Sequence, residues 1–166
     1  MWSNSGSMSD LKFLYSVERI YPYPPATLWA AWMQEQALSQ WYSPVSLKVA
    51  EGSVVSEEKV GGIWTVGVDV PEYNFVAYFY GLYTRLEQDK LIEHTMNYTQ
   101  NHAEFLARLA SPEEHLIKID FEANSNGTLV RFSQFGQLPE GEAEQAQAGM
   151  ESYFDNLDRY LKANVG

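Results

Sequence analysis

The sequence predicts an α+β fold: a curved antiparallel sheet of about six strands around one long C-terminal helix, with two short helices after strand 1. Three observations carry this. In residues 19–44, RIYPYPPATLWAAWMQEQALSQWYSP, a strand end runs into Pro24-Pro25 and then two short helical faces. Proline fixes φ and suits a first helical turn, so the pair marks a strand-to-helix corner. Next comes a long run of strand-like segments separated by turn residues, which glycines allow to curve. Finally Ala146, Gly149, Met150, Tyr153, Phe154, Leu157, Tyr160 and Leu161 follow helical spacing along one stripe of residues 141–163.

The elements follow in order. Residues 11–21 are apolar, β-branched and aromatic enough for a first strand. Leu28, Trp29 and Trp32 mark the buried face of the first helix, and Ala37, Leu38 and Trp41 that of the second. Residues 46–50 and 53–59 read as two short strands around Glu51-Gly52. Gly61-Gly62 precedes a strand at 63–70. Pro71-Glu72 turns the chain into 73–86, and Glu87-Gln88-Asp89 turns it into 90–98. Residues 99–114 are polar around a small apolar island (Phe105, Leu106, Leu109) and read as a loop with room for one helical turn. Residues 115–122 and 128–136 form a hairpin about the turn at 124–127.

Residues 10–166 suit a single domain with a sizeable core. Residues 1–9, beginning MWSNSGS, have the composition of a disordered tail or a leftover expression tag and are set aside. There are 11 Lys+Arg against 22 Asp+Glu, a formal charge of −11. Nucleic acid and anionic membranes both select cationic surfaces, so neither is an expected partner. The absence of cysteine excludes disulfides, thiol nucleophiles and thiolate metal sites. No apolar run approaches the length of a membrane span and no signal peptide is visible, so a cytoplasmic location is the default expectation.

The order and spacing of several short motifs resemble those of a known superfamily. The residues are Arg19, Pro24-Pro25, Leu28-Trp29, Ala31-Trp32, Leu38, Trp41 and Pro44, then Glu57-Glu58-Lys59-Val60-Gly61-Gly62-Ile63-Trp64, Gly81, Leu91, Gly127-Thr128 and Gly149-Met150. Together they resemble the SRPBCC (START-like) superfamily, specifically proteins similar to the activator of heat-shock-protein-90 ATPase homologue family, over residues 11–161. The resemblance implies a helix-grip fold with a hydrophobic pocket between sheet and final helix. It also implies a range of activities, because such proteins include lipid carriers, cyclases, stress proteins and co-chaperone modules. Met150 stands where many relatives carry Trp, and residues 99–114 are longer than a hairpin needs, suiting a lid.

Strand alternation nominates the pocket. With Arg131 facing out, Val130, Phe132 and Gln134 turn inward. With Glu93 out, Ile92, His94, Met96 and Tyr98 turn inward. With Asp69 out, Trp64, Val66 and Val68 turn inward. The expected ligand-binding set is therefore Trp64, Tyr80, His94, Met96, Phe132, Gln134, Met150 and Tyr153. His94 is the inward histidine and a weak candidate acid or base, but a neutral core histidine is its simpler reading. His102 and His115 flank a loop and are expected in solvent. The histidine spacing matches no metal motif, no cofactor is implied, and neither a phosphate loop nor a GxSxG nucleophile elbow exists.

These readings favour a binding module for a small apolar or aromatic molecule, without membrane insertion. Two alternatives stand beside it: a co-chaperone-like interaction module, and a cyclase- or hydratase-type enzyme using His94. A chaperone or a second copy of the chain are the protein partners these alternatives admit.

Overall fold

The computed structural model describes residues 11–165, so the tail reading of residues 1–9 lies outside the described residues. Strand β1 (Lys12–Tyr21) ends at the proline corner, and Pro25 opens helix α1 (Pro25–Met33). Extended Gln34 closes α1 and leads directly into α2 (Glu35–Trp41). There follow β2 (Lys48–Val49), β3 (Val55–Ser56), β4 (Ile63–Val70), β5 (Phe75–Glu87), β6 (Leu91–Thr99), α3 (His102–Ala107), β7 (His115–Asn124), β8 (Gly127–Gly136) and α4 (Glu142–Asn164).

The sheet is antiparallel with order β1-β8-β7-β6-β5-β4-β2, and β3 also pairs with β4. It holds eight strands, not about six. The count rises because the two-residue strands β2 and β3 both pair along β4, at Val68–Asp69 and Trp64–Thr65 respectively. The sheet curls around α4, the helix-grip arrangement. Gly81 permits a close approach of β5 to β6, since a Cβ there would collide with the Thr95 carbonyl, and the register of the two strands slips further along, between Tyr83 and Arg85.

The grip is made of specific bonds. Arg19 on β1 reaches Glu151 at 2.8 Å and Asp155 at 2.6 Å on α4. The Tyr21 hydroxyl donates to the Phe154 carbonyl at 2.8 Å. Asn156 donates to the carbonyl of Trp41 at 2.8 Å, tying the short helix pair to α4. Between these fasteners Trp32 meets Trp41 edge-on at 4.7 Å between ring centroids and packs against Phe132 and Phe154. Trp29 is half-buried against Phe121 of β7. The three tryptophans thus hold the helix pair onto the sheet and α4.

Segment 99–114 is more ordered than a loop. Asn101 caps α3 by accepting from the Glu104 amide at 3.0 Å, and buried Phe105 stacks on Tyr78 at 4.3 Å. The helix therefore covers the outer face of the sheet rather than the grip.

Candidate functional site

Cross-strand register assigns the faces. Trp64 lies opposite Gly81, and Tyr83 opposite His94. Trp64, Tyr83 and His94 accordingly share the inward face, while Thr65, Tyr80 and Asn97 share the outward one. Tyr80 is therefore not in the pocket. It lies beneath α3 against Phe105, its hydroxyl donating to the Leu109 carbonyl at 2.9 Å. Tyr98 also departs from expectation, being 52% exposed beside Phe79. It stands near the end of β6 (Leu91–Thr99).

Most of the remaining expected residues pack into the core. His94 stacks on Trp64, and Trp64 meets Tyr42, which in turn meets Tyr153 at 5.1 Å. Phe132 lies between Tyr15 and Trp32, and Met150 is buried in the same cluster. Burial pushes the hydroxyls of Tyr15, Tyr83 and Tyr153 well above the usual phenol range, and Tyr42 likewise, so all four stay protonated. Tyr83 hydrogen-bonds Ser56 at 2.7 Å. Trp32 Nε1 is the buried side-chain nitrogen or oxygen without a hydrogen-bond partner among the described residues.

His94 is 2% exposed. Burial lowers its pKa to about 4, so the ring is neutral near pH 7. Its Nδ1 donates to the Thr95 carbonyl at 2.8 Å, leaving Nε2 as the acceptor nitrogen.

Open space lies at one end of the grip. A half-open cleft of about 960 Å³ is lined by Leu11, residues 96–98, residues 111–115, Gln134 and residues 137–139. The end of β6, the start of β7, the end of β8 and the start of β1 meet there, as antiparallel pairing requires. Of the expected set, Met96 and Gln134 are on this wall, while Trp64, His94, Phe132, Met150 and Tyr153 are not. Gln134 needed partners, and has them. Its Oε1 accepts from the Tyr15 hydroxyl at 2.6 Å, so its Nε2 donates to His115 Nδ1 at 2.8 Å. That leaves the His115 proton on Nε2, facing the Gln137 carbonyl at 3.2 Å.

His115 corrects another expectation: it is half-buried on the cleft wall rather than free in solvent. The signal was present, because the alternation of Ile117, Ile119 and Phe121 continues back to it. Gly136 leaves room for its ring, since a Cβ there would strike the imidazole. The segment 111–114 forms the opposite lip. The Ser111 amide donates to Asn97 Oδ1 at 2.8 Å, and Asn97 Nδ2 donates to Glu114 at 2.7 Å and to the Tyr80 carbonyl at 3.2 Å.

A shallower groove of about 680 Å³ lies at the other end of the sheet, beside Pro24 and Pro25. Its wall mixes Arg85, Lys90 and Lys118 with Glu87, Asp89, Asp120 and Glu122, so its charges largely answer one another. The first cleft is larger and has a buried polar chain in its wall, which makes it the stronger candidate. No group of His, Asp and Glu among the described residues could hold a metal ion.

A curled antiparallel sheet gripping one long helix, with a cleft at its open end, defines the helix-grip class of α+β proteins. The chain belongs to the family described as activator of Hsp90 ATPase homolog 1-like protein, whose model matches residues 22–162. Solved structures agree on the fold. An AHSA1 protein from Silicibacter pomeroyi superposes with a TM-score of 0.75 at 17% identity, covering 90% of this chain and 97% of that one. An AHSA1-like protein from Aeromonas hydrophila gives 0.70 at 21% identity, covering 90% and 92%. A protein from Chromobacterium violaceum gives 0.72 at 17% identity, covering 87% and 94%. No curated protein matches the chain in sequence.

Proposed function

We propose that this protein is a binding module for a small apolar or aromatic molecule, held at the open end of the grip. The observation that carries the reading is the 960 Å³ cleft, a volume in the range of small-molecule sites. Met96, Leu138 and Pro139 supply apolar contact, and the Tyr15–Gln134–His115 chain supplies a fixed polar edge. Binding without turnover is favoured because His94 is committed to core packing and stands off the cleft wall. General acid–base chemistry would need it within hydrogen-bond reach of a reacting atom. The cytoplasm is the proposed location; no helix among the described residues is long and apolar enough to cross a membrane.

Native mass spectrometry of protein purified from its own host tests this. A retained small molecule is expected, and Met96→Trp, which fills the cleft from β6, should abolish its retention. Equal retention in that variant would place the ligand elsewhere, and a bare chain in every preparation would count against the module.

A further inference from the structure

Resting on the cleft as a binding site, we infer that it selects an apolar or aromatic amine over the corresponding carboxylic acid. Neither Lys nor Arg lies on the wall, whereas Glu113 and Glu114 both do. Several side-chain donors on the wall are spent, while the Ser111 and Tyr98 hydroxyls, which accept from the Glu113 amide and from Gln100, and the Gln137 amide donate to nothing among the described residues. Both Asn97 N–H groups are bonded, to Glu114 and to the Tyr80 carbonyl. Gln134 gives one N–H to His115, and His115 turns its own to the Gln137 carbonyl. The imbalance is one of charge: the Glu113 carboxylate and the second oxygen of Glu114 are anionic acceptors, beside a remaining lone pair on Gln134 Oε1, with no Lys or Arg to answer them.

A carboxylate entering this cleft would lose water, meet two like charges and find no cation. An ammonium group would meet two carboxylates while its apolar body lies on Met96, Leu138 and Pro139. The formal charge of −11 adds a long-range attraction of the same sign. Glu113 is exposed, so its charge can be removed without disturbing the core.

The test uses three probes that share one ring: 2-naphthylmethylamine, 2-naphthylmethanol and 2-naphthoate. Each is titrated into the full chain at pH 7 and low salt, with amide resonances followed by NMR. The amine should bind tightest and the naphthoate weakest, with shifts centred on residues 96–98 and 113–115. Glu113→Gln should cut the amine-to-alcohol affinity ratio by about two- to fivefold, the scale of one exposed ion pair. Glu113→Lys should turn the preference towards naphthoate.

An amine that binds no tighter than the alcohol, or a ratio that survives both substitutions, overturns this inference and leaves the binding module standing. Amine shifts scattered over the acidic surface, outside the cleft, overturn it as well. If none of the three probes moves the cleft resonances, both readings fall.

Discussion

His94 stacks on Trp64 with ring centroids 4.0 Å apart and 26° between the planes. The contact joins β6 to β4 across the inward face of β5, within the buried core that keeps the histidine neutral. Burial holds the imidazole at about 4, below its model-peptide value of 6.5. A histidine depressed in the folded state takes up its proton more readily when unfolded. Its contribution to stability is therefore complete above pH 6.5 and is lost progressively as pH falls towards 4. The loss should total about 3 kcal/mol. Denaturant titrations of wild type and His94→Gln at pH 7, 5.5 and 4.5 isolate this term from the many carboxylates. The wild type should lose stability relative to the variant across that window, and parallel curves would refute the assignment.

Trp32 is enclosed by Trp41, Tyr42, Phe132 and Phe154. Trp32→Ala should destabilise the fold by about 3–5 kcal/mol through lost contact and an unfilled cavity. Trp32→Phe should cost markedly less, because a phenyl ring keeps much of the aromatic contact and leaves a smaller cavity, while the unpartnered indole N–H, whose burial costs about 1–3 kcal/mol, is gone in both variants. Equilibrium unfolding of both variants checks the order, and a loss below about 1 kcal/mol for Trp32→Ala would mean the site is not core.

Met150 is buried in the core and absent from the cleft wall. Met150→Trp should therefore overpack the core, costing about 1–3 kcal/mol in denaturant unfolding. Affinity for 2-naphthylmethanol should change little. A large change in affinity with stability unaltered would move the ligand site to α4.

Phe105 anchors segment 99–114 to Tyr78 and Tyr80. Phe105→Ala should speed hydrogen exchange across residues 100–114 by loosening α3 and the lip of the cleft it carries. The rest of the sheet should keep its protection, because α3 covers only its outer face. Global loss of protection would mean that α3 is part of the main core.

What the sequence by itself determined was the order of elements and the alternation within each strand. Proline corners, turn residues and the stripe of α4 are local signals, and Trp64, His94, Phe132 and Gln134 turn inward as alternation requires. What only the tertiary structure decided was how neighbouring strands align and which space is filled. Tyr80 lies outside because pairing sets Gly81 opposite Trp64, and alternation along β5 then puts its neighbour on the other face. His115 belongs to the cleft because Gln134 on β8 reaches across to it. The expected pocket residues instead fill the grip because Tyr42 from the short-helix region and Phe154 from α4 bring their rings into it. Packing volume is summed over side chains distant in sequence, so no local pattern reports it.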